Sequence, residues 1–132
     1  MTTSLRQLME AANAAIPRLT PAQAHEMIAS QEVLVVDVRD APELEQDGKV
    51  QGAMHVSRGM LEFRADNTSP YHDKNFSKDR TILLYCASGG RSALSALTLK
   101  ELGFTNVYNM GAFKDWVESG GAVDKPIDPG MK

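Results

Sequence analysis

Cysteine is nearly missing from this 132-residue chain, Cys86 being the only one. That excludes an internal disulfide and any zinc site built from several thiolates, and leaves either a buried filler or a reactive thiol. No apolar run approaches the roughly 18 residues of a membrane span. The N-terminal residues 1–10, MTTSLRQLME, lack the basic start and continuous apolar stretch of a signal peptide, so a cytoplasmic protein is expected. Neither sign of charge forms a block: Lys and Arg total 14 against 17 Asp and Glu, so no patch argues for nucleic acid or a membrane surface. The histidines, His25, His55 and His72, are not spaced as metal ligands, and no metal or organic cofactor is expected. With 42% hydrophobic and 23% charged residues, the composition is that of one ordinary globular domain.

Residues 4–15 place Leu5, Leu8, Ala12 and Ala15 at helical spacing, ended by Pro17. Thr20 followed by Pro21 starts a second helix whose buried stripe is Ala24, Met27 and Ile28. The β-branched run 33–38, VLVVDV, reads as a strand covered on both faces. From Arg39 the chain is polar, through Pro42 and Gly48, to a short strand at 53–56 and a short helix at 59–65. Residues 66–79 have no apolar period and form a long surface loop, of the kind that is often functional or mobile. A buried strand follows at 81–86, then a helix at 91–102 stopped by Gly103, a strand at 106–110 and a helix at 112–119 with Phe113 and Trp116 in the core. Strands alternating with helices predict an α/β fold with a parallel sheet and helices on both faces, and ligands then gather at the carboxyl ends of the strands. Cys86, the last residue of its strand, lies at that edge.

The loop Cys86, Ala87, Ser88, Gly89, Gly90, Arg91, Ser92 joins the strand to a helix N-terminus. Unpaired N–H groups and a partial positive charge gather there, and small residues let the backbone curl around an anion. A thiolate is favoured by those donors, by the dipole and by Arg91, all of which lower a thiol pKa. The competing reading is an inert buried cysteine, since free cysteine is among the most buried residue types.

Four segments in order, Asp37-Val38-Arg39, Gly52-Ala53-Met54-His55-Val56, the Cys86 loop, and Gly111-Ala112-Phe113 with Trp116, resemble the single-domain rhodaneses, sulfurtransferases that carry sulfur as a cysteine persulfide. The resemblance spans residues 20–119, with Ala112 standing where the family pattern has a second glycine. It implies a five-stranded parallel sheet flanked by helices on both faces, occupying residues 18–120. Residues 1–17 would be a helical extension and residues 121–132 an irregular tail. It also implies that Cys86 accepts the sulfur and that the backbone of Ala87, Ser88, Gly89, Gly90, Arg91 and Ser92 cradles the persulfide. The donor would be thiosulfate or a persulfide, with Arg91 helping to hold the anionic leaving group. Without a second cysteine the acceptor must be external, namely cyanide, glutathione or a thioredoxin-like protein.

Two rivals stand beside this. A cysteine phosphatase or arsenate reductase would place five residues between Cys and Arg to wrap a phosphate; here four intervene, a smaller cradle suited to one sulfur. A noncatalytic rhodanese-like module would bind a partner or report redox state through Cys86. Asp37 and Arg39 read as a structural ion pair or cap, with Glu43 as a further partner of Arg39. Arg58 could attract an anion but is by default a surface residue, His55 reads as packed and hydrogen-bonded, and His25 as exposed. His72, in the long loop, could approach the pocket.

Overall fold

The structure, a computed structural model, describes residues 2–125. The chain opens with α1 (Leu5–Ala15) and α2 (Pro21–Ser30). Each begins with a reciprocal cap: the Ser4 or Thr20 hydroxyl accepts from the N–H of Gln7 or Gln23, whose side chain accepts from the cap N–H in return. Helix donors that would otherwise lack partners are thereby satisfied. There follow β1 (Val33–Asp37), α3 (Ala41–Asp47), β2 (Lys49–Val50), β3 (Met54–His55), a 3-10 turn (Arg58–Met60) and α4 (Leu61–Ala65). The second half comprises β4 (Thr81–Cys86), α5 (Gly90–Glu101), β5 (Val107–Ala112), α6 (Phe113–Glu118) and β6 (Val123–Asp124). Among the described residues no helix is long and apolar enough to cross a membrane.

The fold is α/β, with a parallel sheet in the order β3-β1-β4-β5 flanked by helices. It has four strands rather than the five expected. The fifth place, beside β5, is held by residues 17–19: the Asn109 N–H donates to the Pro17 carbonyl at 3.0 Å and the Leu19 N–H to the Asn109 carbonyl at 2.9 Å. Pro17 has no N–H to give and α2 starts at Pro21, so this ladder stops at a single bridge.

Alternation along the strands divides the core in two. Leu34, Val36, Val38, Ile82, Leu84 and Cys86 face one side with Ile16, Leu61, Ala96 and Leu99; Val35, Leu83 and Tyr85 face the other with Ala24, Phe113 and Trp116. Helices α1, α4 and α5 thus cover one face and α2 and α6 the other. The long loop 66–79 is anchored: Phe76 is buried and meets Phe104 edge-to-face.

Helix α3 and the paired short strands β2 and β6 escaped the sequence reading. Helix α3 lies in the stretch taken as polar loop, started by the Asp40 N–H donating to the Glu43 carboxylate at 3.1 Å, with Pro42 in its first turn and Leu44 buried. In the tail expected to be irregular, Val123–Asp124 pairs antiparallel with β2, and Asp124 meets Lys49 at 2.8 Å; residues 126–132 of that tail lie outside the described residues.

At the carboxyl end of β1 the Arg39 guanidinium holds Asp37 with Nε and Nη2, the latter at 2.8 Å, and also donates to the Gly48 carbonyl at 2.7 Å. Both side chains are essentially without solvent contact. The guanidinium also lies 4.4 Å from the Phe113 ring centroid, and the Tyr85 hydroxyl accepts from Val50 N–H. Asp37 and Arg39 are the structural pair read from the sequence, but Glu43 is not a hydrogen-bonding partner of Arg39; it belongs to Arg91, described below. Breaking a buried pair leaves an uncompensated charge. Arg39→Ala is therefore expected to lower the unfolding free energy in urea by about 3–5 kcal/mol, and Asp37→Leu with Arg39→Met by less than the sum of the single changes. A loss no larger than that of a surface ion pair would contradict this.

Candidate active site

Strand β4 delivers Cys86 to the sheet edge, and the chain turns at once: Ala87 and Ser88 are exposed, Gly89 adopts φ +99°, and α5 begins at Gly90. That left-handed step is natural only for glycine. It aims the Gly89 N–H at Sγ, 3.1 Å away, while the Ser92 hydroxyl lies 3.5 Å from Sγ. Cys86 itself has no exposed surface, as an inert filler would. Its surroundings are apolar on one side and polar on the other. Burial is the largest single influence on the thiol and opposes ionisation. The Ser92 hydroxyl and the N–H groups of Ser92, Gly89 and Ser88 together outweigh it and hold the pKa below its ordinary value. A cysteine enclosed only by hydrocarbon would shift the other way.

A residue that the sequence reading passed over organises these donors. Asn109, buried in β5, accepts from the Ser92 hydroxyl at 2.7 Å and from Gly111 N–H at 2.9 Å, and donates to the Gly89 carbonyl at 3.1 Å. A register shift between Leu84 and Tyr85, which pair with Asn109 and Gly111, leaves Met110 as an extra residue in β5. Such bulges re-aim side chains. The available signal was an amide in a short apolar strand, where an unpaired polar group would be costly.

Arg91 is engaged elsewhere than expected. Its Nη1 and Nη2 donate to the two Glu43 oxygens at 2.7 and 2.9 Å, a bidentate pair that ties the first turn of α5 to α3. The hydrogen bonds from Arg91 chiefly hold the Glu43 carboxyl down at about 2, against an opposing effect of burial. Of the other candidates, His55 Nε2 meets the Arg39 carbonyl at 2.6 Å, the packed role expected. His72 turns to the Phe76 carbonyl of its own loop, and Arg58 bonds Glu62 and Thr98. His25 is not exposed as expected: it stacks on Trp116 at 4.2 Å and bonds Ser119, because α2 packs beside α6. Beside Ala87 a cavity of about 510 Å³ opens between Phe113, Val117, Arg39, Asp47, Lys114 and Lys125.

The family model described as rhodanese-like domain matches residues 20–119. A thiosulfate sulfurtransferase GlpE from Glaesserella parasuis is 30% identical over 113 residues, 85% of this chain and 93% of that protein. A structure from Rhodopseudomonas palustris, of a protein of unknown function described as a possible tyrosine phosphatase, is 39% identical with a TM-score of 0.85, covering 94% of this chain and 96% of that one. A polysulfide-sulfur transferase homodimer from Wolinella succinogenes is 30% identical, with a TM-score of 0.71 and coverage of 88% and 83%.

If the Ser92 hydroxyl turns its one proton from Asn109 to Sγ when the thiol ionises, Ser92→Ala moves the thiolate titration midpoint, followed by far-ultraviolet absorbance, to higher pH; an unchanged midpoint would show that the proton stays with Asn109 and that the backbone donors alone hold the thiol down. The Glu43–Arg91 pair has its own pH signature. A carboxyl depressed from 4.5 to about 2 contributes stability that is present above pH 4.5 and lost as pH falls toward 2. Glu43→Gln should flatten that part of the stability profile, measured by thermal unfolding between pH 5 and about 2.

Proposed function

This chain belongs to the rhodanese-like domain family, and on that premise we propose that it is a sulfurtransferase moving sulfane sulfur from thiosulfate, or a persulfide donor, to cyanide or a thiol through a Cys86 persulfide. The observation that carries the reading is the sulfur of the only cysteine held at the sheet edge, with the Gly89 N–H 3.1 Å and the Ser92 hydroxyl 3.5 Å from it. The thiosulfate sulfurtransferase relative supports it as well.

In the first half-reaction the Cys86 thiolate attacks the outer sulfur of thiosulfate. The Sγ–S bond forms, the S–S bond to the sulfonate breaks, and its electron pair leaves with sulfite; no proton moves and nothing else is oxidised. The loop of Ala87, Ser88, Gly89, Gly90, Arg91 and Ser92 then surrounds an anionic outer sulfur as an oxyanion hole surrounds oxygen. Arg91, held by Glu43, braces the loop rather than binding the leaving group. In the second half-reaction cyanide or a thiolate attacks the outer sulfur and the Cys86 thiolate departs. A single cysteine cannot resolve its own persulfide as an internal disulfide, so the acceptor is external, glutathione or a thioredoxin-like protein. The cavity beside Ala87, with Phe113 and Val117 on its wall, is where such an acceptor would approach.

The phosphatase description of the R. palustris protein brings the rival reaction into the test. Protein incubated with thiosulfate, desalted and weighed intact is expected to gain one sulfur, discharged as thiocyanate by cyanide, while Cys86→Ser gains none. Aryl phosphate hydrolysis is expected to be absent. No gain from thiosulfate or any sulfane donor would sink the reading in favour of a binding or redox-sensing module, and Cys86-dependent phosphate release would favour the phosphatase.

A further inference from the structure

Sulfite and thiosulfate are dianions, and binding them in water calls for a cation with free donors. Most arginines around the loop are committed: Arg91 to Glu43, Arg39 to Asp37 and Gly48, and Arg58 to Glu62 and Thr98. On the Ala87 side, Lys114 and Lys125 share their cavity with Asp47 and Glu118, which balance them. Arg18 is different. It is exposed, and its side chain makes no ion pair or hydrogen bond among the described residues.

Its position is fixed by backbone. The bridge to Asn109 holds residues 17–19 against β5, on the same residue whose amide holds Gly89 and Ser92. The guanidinium consequently rests on the two glycines at the sheet edge. A Cβ added at Gly89 would stand 2.7 Å from its Nη1, and one added at Gly111 would stand 3.1 Å from its Nη2. Gly89 is the residue whose N–H reaches Sγ at 3.1 Å. Bond lengths then bound Nη1 to within roughly 9 Å of the sulfur. In-line attack at about 3–3.5 Å sets the donor's sulfonate oxygens roughly 6 Å from Sγ, inside that bound.

We propose that Arg18 is the specificity-determining residue for anionic sulfur donors, binding the sulfonate oxygens of thiosulfate and the departing sulfite at the Gly89–Gly111 edge. The inference rests on the sulfurtransferase reading and adds to it a residue that lies outside the matched domain, residues 20–119. Arg18 takes no part in bond making; its charge holds the donor's far end while Cys86 attacks the near one.

The test compares two donors, thiosulfate and a small alkyl hydropersulfide that carries no oxyanion, on wild type, Arg18→Ala and Arg18→Lys. A charge-assisted hydrogen bond is worth enough for KM with thiosulfate to rise about tenfold or more in Arg18→Ala. Arg18→Lys should be intermediate, and the hydropersulfide constants should not change. Added salt should raise the wild-type KM for thiosulfate and leave that of Arg18→Ala nearly flat. Equal losses with both donors would assign Arg18 a merely structural role, and unchanged thiosulfate kinetics would remove it from recognition; either overturns the inference while the wild type still loads sulfur. A wild type loaded by neither donor would refute the sulfurtransferase reading itself, and this inference with it.

Discussion

The buried ion pair of Asp37 and Arg39 is the constraint on which the sheet edge depends. Two charges out of water are tolerable only when every donor and acceptor is engaged, and here the guanidinium meets a carboxylate, the Gly48 carbonyl and the Phe113 face. Those contacts join the end of β1, the entry to β2 and the start of α6, three segments distant in sequence. Asp37 pairs in register with Tyr85, and the Val38 N–H donates to the Tyr85 carbonyl, so the same pair also fixes the residue just before Cys86. A reactive sulfur needs its donors held to a fraction of an ångström, which a frayed sheet edge could not provide.

At the sulfur, two opposing effects are set by the same packing. Cys86 belongs to the apolar cluster beneath α5, which penalises charge, yet its Sγ accepts from the Gly89 N–H, which favours it. Enclosure strengthens that hydrogen bond by excluding water, so burial and activation are not alternatives here. Asn109 makes the arrangement cooperative, because its one amide restrains the hydroxyl of Ser92, the carbonyl of Gly89 and the N–H of Gly111 together.

Much of this was legible in the chain because it is written in local signals. The runs 33–38 and 81–86 are apolar on both faces, Thr20-Pro21 caps α2, and a cysteine followed by small residues at a strand end marks a loop able to fold around an anion. Helix α3 was legible too, in the spacing of Asp40 and Glu43, but Pro42 and Gly48 masked it as loop. Strands of two residues, β2 and β6, carry no period to detect. Pairings across the fold were beyond any local pattern. Glu43 meets Arg91 48 residues away, and charge type alone offers Arg39 as an equally good partner. Likewise the resemblance implied a fifth strand, whereas a proline and a helix start confine that strand to one bridge.

That single bridge bears on the chemistry more than its length suggests. A longer fifth strand would pair Arg18 into a ladder whose side chains alternate between the two faces of the sheet. One bridge next to a helix start instead leaves the side chain free at the carboxyl edge, beside residues that have no Cβ. The bidentate Glu43–Arg91 contact neutralises the loop's own arginine in the same region, so the loop's hold on sulfur comes from neutral donors. Neutral donors suit a persulfide, whose charge is spread over two large atoms and must be released to an acceptor in the next step. A guanidinium locked onto it would hold the sulfur and slow its transfer. On the proposed sulfurtransferase reading, keeping full charge at the rim and partial charges at the sulfur would separate attraction of the donor from retention of the intermediate, two demands that one arginine in the loop could not meet together.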